Sequence, residues 1–372
     1  MKEIETRGKM RRLAEDRTSS ATAKQSWFCV AALSPGGTIF KTEAESPASF
    51  LEKLGGAAIG WVDYVTQDAD FDKEALSAAT QLGFSNELVS FFIGQSYLNY
   101  QDLDIELGMK VPCIQVGQFE VEARPLLMLL RKSLILTIHP VNVDRRFIGL
   151  RRYAETVLKR IPADANAEDR LTLLLTRIID HNNDHNFDHL RQIEEQGDHL
   201  NEIMTDPYTP RAKLGPEIYH MKHALITYLN SLWDTVDVLH TLRYGDAELI
   251  TNDQKILEKL AILVEDVNRQ IGLAEHMSEV LASGLEVLQS IYNNQLQNLN
   301  NRLALLMSYL TIIGTAVLVP NTLATMLGNA VFDIGPDDLG WYLALMIGST
   351  VVATGLVYWW VRKRGWIPKR MD

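Results

Sequence analysis

No charged side chain interrupts the stretch Leu303-Ala-Leu-Leu-Met-Ser-Tyr-Leu-Thr-Ile-Ile-Gly-Thr-Ala-Val-Leu-Val-Pro-Asn-Thr-Leu-Ala-Thr-Met-Leu-Gly-Asn-Ala-Val-Phe332. A second uncharged stretch, Leu339–Val361, follows after the short acidic loop 333–338. The hydrocarbon core of a bilayer is about 30 Å thick and is crossed by roughly 20 helical residues, so each stretch is long enough to span it. The sequence therefore predicts a transmembrane hairpin in residues 303–372, with spans at 303–332 and 339–361.

The charges that flank the two spans predict how the hairpin is oriented. The tail Arg362-Lys-Arg-Gly-Trp-Ile-Pro-Lys-Arg370 is basic, whereas the loop carries only the carboxylates Asp333, Asp337 and Asp338. Because the cytoplasmic flanks of membrane spans are enriched in Lys and Arg, the tail is expected in the cytoplasm, together with the whole chain before the first span. We expect a multi-pass protein in the lipid bilayer of a prokaryotic plasma membrane, with both termini cytoplasmic.

The polar part of the chain has the pattern of an α/β domain. After a flexible, polar N-terminus (1–26), short β-prone runs alternate with helical stretches up to Ile138, and helical periodicity dominates from Arg145 onward. This pattern predicts a cytoplasmic α/β domain over 27–250 whose second half is helical. The formal net charge of −11 argues against nucleic acid as a partner. No phosphate-binding or catalytic motif is recognisable, so an enzyme is not expected.

Proline is absent between Pro216 and Pro320, which permits very long helices in this part of the chain. After a break at 244–252, apolar residues recur at spacings of three and four, as in a coiled coil. We predict a stalk helix over 251–302 that continues into the first span. Such a helix needs copies from other subunits to bury its apolar side, so a homo-oligomer is expected. The predicted gate, or neck, of the stalk consists of Leu288, Ile291, Gln295 and Asn298.

Polar side chains follow one face of the first span. Asn321, Thr325 and Asn329 are spaced by four residues and therefore share a helical face. Such a stripe either joins helices to one another or lines a wet cavity. Within an oligomeric stalk we favour a pore, in which neutral oxygen ligands suit a hydrated hard cation such as Mg²⁺. The predicted pore residues are Met307, Thr311, Gly314, Asn321, Thr325, Gly328 and Asn329, and Asp333, Asp337 and Asp338 are predicted to attract cations to the outer mouth.

This arrangement resembles the CorA family of divalent-cation transporters. The resemblance is carried by Tyr309-Leu-Thr-Ile-Ile-Gly-Thr315, by a proline in the first span, by Pro336-Asp-Asp-Leu339 and by Arg362-Lys-Arg-Gly-Trp366. It implies a homopentameric funnel with an α/β/α cytoplasmic domain, a pore along the first span and transport of Mg²⁺, Co²⁺ or Zn²⁺. One departure is clear: where the family has Gly-Met-Asn, this chain has Gly328-Asn-Ala330. A non-conducting metal-sensing scaffold is therefore kept as an alternative.

A histidine-rich segment in the second half of the cytoplasmic domain offers a second metal hypothesis. If residues 181–189 form one helix, His181, His185 and His189 share a face, with two carboxylates beside them. Imidazoles at this spacing can bind Zn²⁺, Ni²⁺ or Co²⁺, which would favour the Zn²⁺-transporting branch of the family. The alternative is a solvated helix surface with no ligand. The candidate ligands are His181, His185, His189, Asp184 and Asp188.

Overall fold

The computed structural model describes residues 26–33, 37–67, 71–94, 99–117, 120–162, 164–205, 214–244, 247–328 and 339–364. The chain divides into two compact units, Met1–Ala282 and Ser283–Asp372, which are considered separately below. The first unit contains the mixed α/β part that the sequence predicts, and the second contains the two long apolar segments.

The first unit is built on a seven-stranded mixed sheet with the order β2-β1-β3-β7-β6-β5-β4. All neighbouring strands are antiparallel except β3 and β7, which pair in parallel from Gly60 opposite Leu134 to Thr66 opposite Pro140. The strands are β1 Ser26–Leu33, β2 Ile39–Ala44, β3 Ala57–Thr66, β4 Tyr100–Asp102, β5 Glu106–Gly117, β6 Glu120–Arg131 and β7 Leu134–Pro140.

Nine α-helices lie in the described part of the chain. They are α1 Leu51–Leu54, α2 Phe71–Gln81, α3 Asn86–Ser90, α4 Asp144–Lys159, α5 Ala167–Asn183, α6 Asn186–Thr205, α7 Leu214–Tyr244, α8 Gln254–Leu327 and α9 Leu339–Lys363. Side-chain caps begin several of them: the Asn166 side chain accepts a 2.6 Å hydrogen bond from the Asp169 amide at the start of α5. Such a cap satisfies one of the amides that the first helical turn leaves without a partner.

Helices cover both faces of the sheet, which gives the unit three layers. On one face, α2 and α3 pack against Val62 and Tyr64 in a cluster of fully buried apolar side chains. On the other face, α4, α5 and α7 contact the strands. Because both faces are covered, central strands such as β3 are apolar almost throughout rather than alternating, and all of Ile59–Thr66 is buried. The α/β/α arrangement agrees with the fold class predicted from the sequence.

One charged group lies at the centre of the second face. Asp63 is fully buried and accepts a 2.5 Å hydrogen bond from the Thr137 hydroxyl. Its carboxylate also lies 3.3 Å from His139 Nε2 and 3.4 Å from Arg151 Nη1. Burial opposes ionisation of Asp63, but His139 and Arg151 outweigh this effect and hold the pKa of the carboxyl below its ordinary value. The network joins β3, β7 and α4.

The second unit contains most of α8 and all of α9. The predicted break at 244–252 agrees with the end of α7 at Tyr244 and the start of α8 at Gln254. The stalk helix continues past residue 302, as the sequence predicts, and α8 runs on to Leu327 with Pro320 inside. The charge-free stretch up to Leu327 is therefore the last part of one long helix rather than a new element.

Candidate functional site

Two of the described helices, α8 and α9, are long and apolar enough to cross a membrane. In the most apolar window of α8 only 6% of the residues are buried, and in that of α9 none are. Large apolar side chains that would be costly to expose in water lie open on both, such as Leu310 on α8 and Ile347 on α9. Exposed apolar surface of this extent indicates lipid or partner helices as surroundings.

The residues predicted to line a pore lie on one face of α8. On an ideal helix, Met307, Thr311, Gly314, Asn321, Thr325 and Gly328 fall within an arc of about 100°, and Leu318, which the sequence analysis left out, falls in the same arc. All seven are exposed in the isolated chain, and Met307 is 71% exposed. Less exposed residues, such as Ser308, Ile312 and Leu323, lie outside this arc. The face thus carries the polar Thr311, Asn321 and Thr325 and two glycines, together with the larger apolar Met307 and Leu318, and it is exposed in the isolated chain.

Each threonine hydroxyl on this face donates its proton within the helix, so that only its lone pairs remain for other partners. The Thr311 hydroxyl donates to the Met307 carbonyl at 2.9 Å, and the Thr325 hydroxyl donates to the Asn321 carbonyl at 2.7 Å. A hydroxyl that donates its only proton to its own helix presents lone pairs outward. Oxygen atoms with this orientation suit a cation, or the water that hydrates it, and require no charged side chain in the membrane.

Pro320 removes one backbone hydrogen bond of α8, on the face opposite the predicted pore residues. Because proline has no amide hydrogen, the Ala316 carbonyl loses its partner in the helical ladder. On an ideal helix, Ala316 lies about 180° from Met307, so this carbonyl belongs to the face opposite the polar one. The proline therefore does not contribute a backbone ligand to the polar face, although it remains a point at which the helix can bend.

The predicted neck does not lie on the same face as the predicted pore. Because α8 has no break between these segments, the helical phase carries over from one to the other. Around the axis of an ideal helix, the four predicted neck residues lie at angles of about 100° to 180° from Met307. They are Leu288, Ile291, Gln295 and Asn298. The amides of Gln289, Asn293 and Asn300 are in phase with Met307, to within about 40°. The two predicted sets therefore cannot line one common axis of a straight helix.

Asn293 and Asn300 are residues that the sequence analysis missed. They stand at seven-residue intervals before Met307, and the same interval continues through Gly314 and Asn321 to Gly328. Both are exposed. Apart from Met307, this seven-residue repeat consists of asparagine and glycine. The apolar repeat of the stalk, which the neck prediction followed, lies on a different side of the helix.

Four predicted site residues lie outside the described part of the chain. They are Asn329, Asp333, Asp337 and Asp338. Gly328 is the last described residue before this segment, and its amide donates to the Ala324 carbonyl at 2.9 Å, which keeps it in the last turn of α8.

The histidine segment does not form the single helix that the metal hypothesis requires. Helix α5 ends at Asn183 and α6 begins at Asn186, so the predicted common face is interrupted. His181 is also engaged at both ring nitrogens: Nε2 lies 2.9 Å from the Arg146 carbonyl oxygen and Nδ1 lies 3.1 Å from Asp184. A carbonyl oxygen can only accept a hydrogen bond, so Nε2 carries the hydrogen and offers no lone pair to a metal. Of the His181 ring, only Nδ1, which faces the candidate ligand Asp184, is left for a metal.

The other two histidines are in different surroundings. His185 lies 3.9 Å from Asp188 at the surface. His189 is partly buried, and its Nδ1 atom is buried without a hydrogen-bond partner. Burial, followed by the charge of Arg146, lowers the pKa of His189 to about 4. Among the described residues, no group of three or more His, Cys, Asp or Glu side chains is arranged to hold a metal ion.

Comparisons with known proteins agree with the fold and with the two-helix membrane segment. Residues 56–363 match the family model described as "CorA-like Mg2+ transporter protein". No curated protein sequence matches the chain. The complete CorA magnesium transporter from Methanocaldococcus jannaschii has a similar structure, with 18% identity, a TM-score of 0.65 and coverage of 92% of this chain and 98% of that one.

Two further structures share the fold. The cytoplasmic domain of ZntB from Vibrio parahaemolyticus is 15% identical, has a TM-score of 0.51, and matches 72% of this chain and 98% of its own length. The full-length CmaX protein is 14% identical, has a TM-score of 0.54, and matches 93% of this chain and 99% of its own length. At these identities the similarity concerns the fold, whereas the family model covers most of the chain. The protein belongs to the family of CorA-like Mg²⁺ transporter proteins.

Proposed function

We propose that this protein carries divalent cations, of the Mg²⁺ or Co²⁺ type, across a prokaryotic plasma membrane through a pore lined by α8. The observation that carries the proposal is the exposed face of α8, on which small and neutral oxygen-bearing side chains run through a segment without charge. Polar groups are costly in hydrocarbon unless they face a protein interior or water. A ring of α8 copies around a common axis provides both.

The proposed assembly is a homopentamer, as in the family that this chain resembles. The apolar positions outside the polar arc of α8, together with those of α9, then meet neighbouring copies or lipid. The basic segment after α9 lies in the cytoplasm with the α/β domain, and the Asp333–Asp338 loop lies outside. In this orientation Asp333, Asp337 and Asp338 concentrate cations at the outer mouth, and Asn293 and Asn300 line the cytoplasmic neck.

The chemistry of the pore face favours an ion that keeps its water. Mg²⁺ loses its inner water reluctantly, and a ring of hydroxyl and amide oxygens can bind the hydrated ion from outside. The Thr311 and Thr325 oxygens present lone pairs for this purpose. Asn329, the amide nearest the outer end of the span, is the proposed filter residue. Selection among Mg²⁺, Co²⁺ and Zn²⁺ then depends on how many oxygens reach the ion at that level.

Ion flux into proteoliposomes tests the proposal. Thr325→Ala removes a hydroxyl from the polar face, and Thr350→Ala is the matched control, because the Thr350 hydroxyl makes the same bond to the carbonyl four residues earlier, but on α9. We expect Thr325→Ala to change Mg²⁺ flux by about tenfold, which equals about 1.4 kcal/mol of barrier. Thr350→Ala should leave the flux near the wild-type value. Equal flux in both variants would contradict the placement of the pore on this face.

The departure Gly328-Asn-Ala330 supports two alternatives to Mg²⁺ transport. Flux of Zn²⁺ without Mg²⁺ would assign the chain to transition-metal transport. No flux of any divalent ion, from a protein that is folded and oligomeric, would leave a non-conducting metal-sensing scaffold. Asn329→Ala separates the cases, since a working filter loses its ion preference when this amide is removed.

A further inference from the structure

Two cationic side chains at the end of α9 lie over exposed indole rings. Lys363 Nζ is 4.8 Å from the ring centre of Trp359, and the guanidinium carbon of Arg364 is 5.3 Å from that of Trp360. Trp359 is 57% exposed and Trp360 is 44% exposed. Each pair is separated by four residues, so both cations fold back onto the preceding turn of the same helix.

Within the described part of the chain, these cations make no ion pair with a carboxylate. The sequence from Leu339 to Arg364 contains no Asp or Glu. Among the ion pairs between described residues, none involves Arg362, Lys363 or Arg364. Three adjacent positive charges therefore stand at one end of an apolar helix, and two of them, Lys363 and Arg364, lie over aromatic faces. A guanidinium or ammonium group over a ring still has N–H donors that can bind an external anion.

The depth at which these charges are held limits what the anion can be. Tryptophan side chains at the ends of membrane spans lie at the level of the lipid headgroups. A cation held over the face of such an indole lies at the same level. Lipid phosphates occupy this layer, and arginine binds phosphate through two parallel N–H···O bonds. Cationic residues at an anionic membrane surface contribute about 1 kcal/mol each to binding.

We propose that the end of α9 binds the headgroups of anionic phospholipids, with Lys363 and Arg364 as the ligands and Trp359 and Trp360 as the rings that hold them in place. The proposal goes beyond cation transport and does not depend on it, because it requires only that α9 spans the membrane. It predicts that the protein enriches its lipid annulus in anionic lipid at this end of the helix.

The test measures lipid selectivity rather than flux. The purified full-length protein is reconstituted in phosphatidylcholine, and spin-labelled phosphatidylglycerol and spin-labelled phosphatidylcholine are compared by electron paramagnetic resonance. We expect a higher association constant for phosphatidylglycerol. The double variant Lys363→Gln/Arg364→Gln should reduce this preference about fivefold for each charge removed, which is the fold-change that corresponds to about 1 kcal/mol.

Arg243→Gln is the matched control. Arg243 also lies over an aromatic ring, that of Tyr244 at 4.8 Å, but on α7 in the first unit. It should leave the lipid preference unchanged. Trp359→Leu/Trp360→Leu keeps the charges but removes the rings, and it should lower the preference partly. Circular dichroism checks that every variant retains its helical content.

Three results would overturn the proposal. The first is an equal association constant for the two lipids in the wild-type protein. The second is an anionic preference that survives the Lys363→Gln/Arg364→Gln change. The third is loss of the preference on addition of millimolar glycerol phosphate, which would show that the site takes a free phosphate rather than a membrane lipid.

Discussion

The buried Asp63 provides the sharpest test of the energetics of this fold. Asp63→Asn keeps the shape of the side chain but removes its charge from contact with His139 and Arg151, which lie 3.3 Å and 3.4 Å away. Removing one partner of a buried ion pair costs about 3–5 kcal/mol, because the remaining charge stays buried and uncompensated. The Arg151 side chain is 13% exposed and keeps its contact with Asp144, so we expect the lower end, about 3 kcal/mol.

Thermal unfolding of the detergent-solubilised full-length protein measures this cost. Trp61 reports locally, because its indole N–H donates to the Thr137 hydroxyl, which in turn donates to Asp63. A loss of 3 kcal/mol lowers Tm by about 6–12 °C for a unit of this size. The control is Asp180→Asn, which removes the same charge from an exposed pair with Arg177 and should cost less than about 1 kcal/mol. Equal shifts in the two variants would refute the argument from burial.

Three further outcomes are expected. Gly314→Leu should abolish ion flux while the protein still assembles, because a Cβ at Gly314 meets nothing within 4 Å in the chain but points into the proposed axis; normal flux in an assembled variant would contradict the pore. Asn300→Leu should change flux and Asn298→Leu should not, if the neck keeps the helical phase of the pore, and the reverse result would restore the neck first predicted. The pKa of His189, lowered by burial to about 4, means that the unfolded chain binds a proton more readily than the folded one. Its contribution to stability is therefore complete above pH 6.5 and is lost as the pH falls from 6.5 toward 4. The expected loss in the free energy of unfolding is about 1–2 kcal/mol after allowance for partial exposure. His189→Gln should flatten this part of the stability–pH curve, and an unchanged curve would show that the ring is not protected in solution.

The two apolar helices and the great length of α8 could be predicted because composition alone indicates them. An uncharged stretch of sufficient length has few alternatives to a membrane span. The absence of proline between Gln254 and Val319 permits an unbroken helix as far as Pro320. The side of that helix that would face an axis was predicted less well. Apolar residues of the stalk showed where the helix packs, whereas the side that faces an axis follows only when the helix is known to be unbroken from Asn293 to Gly328.

Long-range pairing and local breaks were beyond sequence reasoning. The parallel pairing of β3 with β7 joins residues that are far apart in the chain, and no local pattern specifies it. The network of Asp63 was missed for the same reason, since its partners come from β7 and α4. The turn between α5 and α6 fell in a segment whose histidine spacing suggested one helix, although its Asn and Asp residues favour turns.

The unbroken course of α8 also constrains how this sequence can change length during evolution. A single residue inserted between Asn293 and Met307 would rotate everything on one side of it by about 100° relative to the other side. The amides of the proposed neck would then turn away from the hydroxyls of the proposed pore face, although every side chain was still present. Insertions and deletions in this segment should therefore be tolerated in steps of about seven residues, which restore the phase to within about 20°.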